Sequence, residues 1–572
     1  MKKIKSLLGL SLISLLITGC NKTNIDTTSN KILIHVLNAE DYIDESLLNE
    51  FKDYIYENDH KFVEVIYDTY DTNETMYNTL KTGKTSYDAI CTSDYMVQRL
   101  ARENSLTKVN YDYLPNYSSY VTNYIVSIND DSGILNKVKI NDDSNETLKD
   151  YAIGYMWGTL GILYNPEFIL NSNPSLINND SRFKGLTHDE QIEKIIELFE
   201  SNDGYSLFWD PILNKTQSIK DSMRDTYALG IFEVYKDYFL NTRDDYETRS
   251  NKFNSSDNES ITKVKNKLLE LKDNIFGFEV DSGKNDIVTQ KIGVNLAWSG
   301  DAVNSINRGY YADDDWEIPS DNPVNLYYST PSIGANMWFD AWCLPKHEDS
   351  YYESEEYKYT LEFLDFLSNP NNALRNMSYN GYTSFISSND NYLINDSSEE
   401  KDLSTSLLGY ILYTYDLSEG IDDDNLDEYD EYDITSFFNF NEEFEIDLTY
   451  LSKEILLDEG EDIDSRIFKF EKDENGEVKI IIHTDLNSLE GRALKAQYPS
   501  SDKINNLYVM KDYGSQNDKI LSMWEDVKVN PLPLWISISL ITIIVLFLGY
   551  LGSYKLIRIY KLKKRKKLRE LD

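Results

Sequence analysis

Cysteine is scarce: the chain has three, at Cys20, Cys91 and Cys343. So few cannot build a disulfide scaffold, so the fold must rest on packed cores. Histidine is almost as rare, and the five residues (His35, His60, His188, His347, His483) show no metal-ligand spacing. No Gly-rich phosphate loop and no nucleophile elbow are present. A hydrolase is therefore disfavoured, and neither a metal nor a cofactor is expected. Positive charge is also short. Fifty-six Lys and Arg stand against 98 Asp and Glu, a net charge of −42. Such a surface repels nucleic acid and attracts cations.

The two ends carry apolar runs. Lys2, Lys3 and Lys5 precede an apolar stretch from Leu7 to Ile17, which closes on Ile17-Thr18-Gly19-Cys20. This layout is that of a secretory signal over residues 1–19, with Cys20 as the lipidated residue of a lipobox. The alternative is a plain signal peptide with an incidental cysteine. Residues 20–30 are polar and read as a tether. Residues 532–554 hold no charge and are long enough to cross a hydrocarbon core of roughly 30 Å. Trp535 and Tyr554 flank that run, and the tail at 555–572 is rich in Lys and Arg. By the positive-inside rule the tail is cytoplasmic, leaving the segment between the two runs outside the cell. A membrane-anchored ectodomain is expected, with Cys91 and Cys343 as buried thiols. A disulfide between those two is the alternative.

Between the anchors, apolar strand-like runs alternate with helical ones. Strands are expected at 31–37, 62–67 and 88–91, with helices at 45–56, 72–82 and 96–103. Alternation of this kind predicts βαβ units and a mostly parallel sheet, hence an α/β fold. Ligands of such sheets sit at the carboxyl ends of strands. Those ends here are Asn38–Tyr42, Tyr67–Asp71 and Thr92–Tyr95, all polar or aromatic. The stretch 151–164 is apolar and Gly-punctuated, suited to a strand crossing between lobes. From 387 to 496 the chain turns acidic and reads as an insertion. The run 419–433 lacks the spacing of a calcium loop and reads as solvated. Within the insertion, 466–470 and 478–483 flank Asn475-Gly476, a hairpin signal.

Several blocks, taken in order, carry a family likeness. They are Asp71-Thr72-Asn73-Glu74-Thr75-Met76-Tyr77 with Ser93-Asp94-Tyr95-Met96-Val97, then Tyr155-Met156-Trp157-Gly158-Thr159 and Asp221-Ser222-Met223-Arg224-Asp225. Trp298-Ser299-Gly300-Asp301-Ala302, Asn336-Met337-Trp338-Phe339-Asp340 and Asn380-Gly381-Tyr382 follow, and Tyr498-Pro499 to Lys528 closes the set. Together they resemble the spermidine/putrescine-binding subunits of bacterial polyamine ABC importers. The resemblance implies a two-lobed periplasmic-binding-protein-like fold with a hinge cleft. It divides the chain into a first lobe at 31–150 and 341–386, and a second at 151–340 with C-terminal helices at 497–530. It also implies a polyamine ligand, and permease subunits with their ATPase as partners.

Residues matching the family's site are Tyr42, Ser93, Tyr95, Asp225, Trp298, Trp338, Asp340 and Tyr382, with Asp221 or Ser222 as a further position. Aromatic and acidic side chains suit a chain of methylenes bearing ammonium groups. Carboxylates make charge-assisted hydrogen bonds, and ring faces attract cations. Trp338 and Asp340, two apart on an expected strand, share one face. Ala39 stands where the family commonly has a stacking Trp, which leaves another cationic ligand open, and the C-terminal apolar run with its basic tail leaves a membrane-bound sensor that kept the fold as the competing reading.

Overall fold

The computed structural model describes residues 31–529 and 534–569, apart from 84, 123–124, 127–132, 142, 202–203, 243–244, 281, 312–319, 387–406, 416–428, 439–454, 457–461, 464–467 and 473–477. The signal run, Cys20, the tether, most of the acidic run and the Asn475-Gly476 turn lie outside the described residues. The chain divides into a unit ending at Ile520 and one beginning at Leu521.

The first unit opens as the alternation predicts. Strand β1 (Lys31–Ala39) buries Ile32, Ile34 and Val36, with exposed Lys31 and Leu33 and half-buried His35 in alternation with them, the period of a half-buried strand. Helix α1 (Ser46–Asp59) buries Leu47, Phe51 and Ile55, one per turn, on a single face. Strand β2 (Phe62–Tyr70) pairs parallel with β1. Helix α2 (Asn73–Thr82) starts where the Thr72 side chain accepts from the Thr75 N–H at 3.2 Å, and stops at Gly83, whose φ is 60°. Strand β3 (Ala89–Ser93) then leads into helix α3 (Asp94–Arg102).

A second parallel set comes from β5 (Gln217–Lys220), β6 (Gly277–Glu279) and β7 (Val294–Trp298), with helix α4 (Met223–Val234) after β5 and α5 (Ser299–Tyr310) after β7. Two long strands join the sets. These are β4 (Ile153–Tyr164), buried along its whole length, and β8 (Ala335–Pro345). The strand order is β2-β1-β3-β8-β4-β7-β5-β6. β8 runs antiparallel to β3 and to β4, and β4 antiparallel to β7. Two parallel α/β lobes are thus linked by an antiparallel pair. The strand foreseen at 151–164 is that crossing element.

Helices α6 (Glu355–Leu367) and α7 (Pro370–Asn380) return to the first lobe, where Phe363 and Phe366 pack on Phe51 at 5.1 and 5.4 Å. Cys91 and Cys343 are buried free thiols.

The described parts of 387–496 include α8 (Leu407–Tyr415) and an antiparallel sheet β9-β11-β10, where β9 is Asp430–Asp433, β10 Phe468–Lys472 and β11 Val478–Thr484. β10 and β11 pair as the hairpin foreseen. The end of the acidic run departs from the solvated reading. Residues 430–433 form β9 because Tyr432 buries its ring and donates to the Tyr498 carbonyl at 2.8 Å. Next to it, Phe437 stacks on Trp157 of β4, with ring centroids 5.7 Å apart. Helix α9 (Leu489–Gln497) ties this region to the second lobe: Arg492 lies over the Tyr327 ring and Lys495 pairs with Glu200 at 2.9 Å.

In the second unit, helix α10 (Leu534–Arg569) contains the stretch Ile541–Arg565, whose apolar 18-residue part has a mean hydropathy of 1.5. It is long and apolar enough to cross a membrane. The helix continues through the basic tail, whose Lys and Arg are good helix formers.

Candidate functional site

The carboxyl ends of both parallel sets face one cavity of about 510 Å³. β1 delivers Ala39 and the turn that carries Tyr42. β3 ends on Ser93, and α3 begins with Asp94 and Tyr95. From the second lobe come Trp298 at the end of β7, and Ser222, Arg224 and Asp225 around the start of α4. Strand β8 contributes Trp338 and Asp340 from one face. Tyr382 follows Gly381, whose φ of 76° ends α7. All eight residues singled out in the sequence line this cavity. Asp221 does not; Ser222 takes that position, and its hydroxyl accepts from the Asp225 N–H at 3.3 Å to cap α4.

Asp340 is the centre of the first lobe's wall. One carboxylate oxygen accepts from the Tyr42 hydroxyl at 2.8 Å and the other from the Ser93 hydroxyl at 2.7 Å. Burial pushes the carboxyl up, and the two donors pull it partway back. Burial, then the Asp340 charge, raises the Tyr42 hydroxyl well above its usual range, so it remains a donor. Tyr42 is itself held edge-on by Tyr155 at 5.4 Å and by Tyr382 at 5.9 Å. Tyr382 meets Trp338 edge-on at 5.2 Å. A carboxylate is thus framed by fixed rings, an arrangement that holds an ammonium group and covers adjoining methylenes.

Across the cavity, burial raises the Asp225 carboxyl, offset by hydrogen bonding from Ser222, by Lys220 and Arg224, and by the Trp298 side chain. Behind Trp298 lies Lys220, 1% exposed, its ammonium 4.6 Å from the indole centroid. It is paired with Glu279 and Asp301, each at 3.3 Å. Ala39 opens onto the cavity, and neither Tyr70 nor Tyr155 is among the residues that line it.

Several lining residues were not singled out from sequence, notably Asp94, Arg224, Asn73 and Met510. Asp94 and Arg224 lie inside the likeness blocks at a strand end and a helix start, which is the signal that could have marked them. Met510 lies inside the last likeness block, but far along the chain from the other lining residues.

Gly300 has a steric role. A Cβ there would come within 2.4 Å of two Tyr382 ring carbons. Gly300→Ala is expected to displace that ring and cost about 1–3 kcal/mol of binding, roughly tenfold in affinity. Titration of wild type and variant with one cationic ligand checks it, and equal affinities would show that Tyr382 does not contribute.

Three buried carboxyls also give a pH dependence. Asp94 is pushed from 3.8 to about 7 by burial, against the pull of Arg224 and the Tyr95 N–H. Asp225 and Asp340 are raised too. A cation binds the ionised forms, so affinity is greatest at alkaline pH and falls as pH drops through the range in which these carboxyls take up protons, Asp94 at about 7. The ligand-free protein behaves oppositely. Between 3.8 and about 7 its folded state holds more protons at Asp94 than the unfolded state, so this group's stabilisation declines as pH rises. Cation titrations across that range check the first sign; a flat profile would contradict it.

No family model matches the chain. The putrescine-binding periplasmic protein SpuD of Pseudomonas aeruginosa is 25% identical over 366 residues, covering 63% of this chain and 80% of that protein. The putrescine-binding periplasmic protein PotF of Escherichia coli is 25% identical over 340 residues, 59% of this chain and 73% of that one. A solved structure, a putative spermidine/putrescine ABC transporter from Listeria monocytogenes, superposes with a TM-score of 0.47 at 19% identity, covering 87% of this chain and 99% of that one. The chain's curated homologues are thus putrescine- and spermidine-binding periplasmic proteins.

Proposed function

We propose that this chain is the substrate-binding subunit of a polyamine ABC importer. It captures putrescine or spermidine between its lobes and delivers it to permease subunits driven by their ATPase. The relatives are named for binding rather than catalysis, and the chain is read as a receptor, not an enzyme. The observation that carries the reading is Asp340, doubly hydrogen-bonded by Tyr42 and Ser93 and framed by Tyr382 and Trp338 at a strand-end cavity. A cation is stabilised there by charge, and its methylenes by the rings. Trp298 and Trp338 in the cavity offer a direct readout, since a ligand that contacts them alters indole fluorescence. Titration of the full chain in detergent with putrescine, spermidine and a neutral oligosaccharide tests the reading. Saturable change with the amines alone supports it; a response to the sugar and none to the amines ends it.

The same reading places the cleft outside the cell, with α10 in the membrane and Cys20 lipidated. Cys20→Ser is expected to leave the protein in the membrane fraction through α10. Removal of residues 531–572 alone is expected to leave it there through lipid. Release by either single change would show that the other anchor is not used.

A further inference from the structure

The two lobes meet outside the cavity as well as around it. Helix α3 begins with Asp94 and Tyr95 at the cavity and ends on Arg102, which is not part of the lining. Arg102 pairs with Asp512 at 2.6 Å. One turn earlier, the Gln98 side chain accepts the Asp512 N–H at 2.6 Å. Both first-lobe side chains are held by their own lobe. Gln98 donates to the Lys139 carbonyl at 2.6 Å, and Arg102 donates to the Ile140 carbonyl at 3.4 Å.

Asp512 is carried by the other lobe. Asn254 donates to the Val509 carbonyl at 3.0 Å and accepts the Lys511 N–H at 2.7 Å. Arg224 of α4 donates to the Lys511 carbonyl at 2.6 Å, and Tyr513 meets Tyr227 of α4 edge-on at 5.5 Å. The segment 509–513 therefore moves with the second lobe, and Met510 within it lines the cavity. Helix α3 and this segment each have one part at the cavity and another at the Arg102–Asp512 contact.

That contact is built to hold. The Asp512 side chain is 10% exposed and Arg102 31%, and a charge-assisted pair so enclosed is stronger than a surface pair. Lys139 and Glu247 also face each other between the lobes, at 3.4 Å, but both are exposed, so water and salt screen them. Opening the cleft about the crossing strands β4 and β8 draws α3 away from 509–513. The Arg102–Asp512 pair and the Gln98 bond break in that motion.

We propose that Arg102, Gln98 and Asp512 form a latch between the lobes that slows ligand release without touching the ligand. The inference rests on the reading of the cavity as a ligand site between closing lobes. The latch forms once the lobes have met, so it governs departure more than arrival.

Stopped-flow indole fluorescence with putrescine tests it on the full chain in detergent, in wild type, Arg102→Met, Asp512→Asn and the double variant. Each single change is expected to speed release about tenfold and to leave association within about twofold of wild type. The double variant is expected to release no faster than either single one, because all three lack the same interaction. Arg102→Lys keeps the charge and is expected to restore most of the slow release. Unchanged release in the single variants, or effects that multiply in the double variant, overturn the latch. Nitroxide labels on Asp53→Cys of α1 and Leu269→Cys, both exposed positions, read the lobes without ligand. Asp512→Asn is expected to add longer distances to the wild-type distribution, and coincident distributions overturn the latch. Failure of wild type to bind putrescine would overturn the polyamine reading, while the nitroxide distances still judge the latch.

Discussion

Asp340→Asn is expected to lower affinity for putrescine at least about a hundredfold. The wild-type carboxylate accepts one hydrogen bond on each oxygen, from Tyr42 and Ser93. The asparagine amide keeps the shape but brings an NH₂ group against a hydroxyl donor. It also removes the charge that faces the ligand's ammonium. Breaking a buried ion pair on one side costs about 3–5 kcal/mol, and about 1.4 kcal/mol is tenfold in affinity. The supporting hydroxyls count for less: Tyr42→Phe and Ser93→Ala each remove one donor to a charged group, worth about 1.5–3 kcal/mol. Calorimetry on the three variants should rank Asp340→Asn below the others. A loss of under threefold for Asp340→Asn would take Asp340 out of the site.

Trp157→Ala is expected to be the most damaging of these changes to stability. Trp157 is 1% exposed, in the middle of the crossing strand β4. It pairs with Phe339 of β8 and with Thr383, and stacks on Phe437. Truncation to alanine leaves an unfilled volume where the link between lobes meets the 387–496 region. Buried Trp→Ala changes cost about 3–5 kcal/mol. Denaturant titration followed by tyrosine and tryptophan fluorescence should show a clearly lower midpoint. An unchanged midpoint would mean that Phe437 and β4 are not part of one cooperative core.

Local pattern carried much of this in advance. The first three strands and the helices between them are legible because apolar and polar residues alternate with the period of each element, and short polar turns punctuate them. The shared face of Trp338 and Asp340 followed from a period of two. Residues at strand ends were readable as site residues because such ends cluster in parallel sheets. What depends on distant segments was not readable. Arg224 lies over the rings of Tyr95 and Tyr513 and donates to the Lys511 carbonyl, all far from it in the chain. Strand β9 was hidden because acidic neighbours outnumber Tyr432, whose burial is decided by Tyr498 and the adjacent β11. Asp94 carries no local mark of its burial, and only the closed space around it raises its carboxyl.

The most direct test of the central claim is a crystal structure of the protein grown with putrescine. The account predicts the diamine in the cavity between the lobes, one ammonium nitrogen within hydrogen-bond reach of Asp340 and the methylenes against Trp338 and Tyr382. Putrescine bound elsewhere, with Asp340 still engaged only by Tyr42 and Ser93, would contradict it.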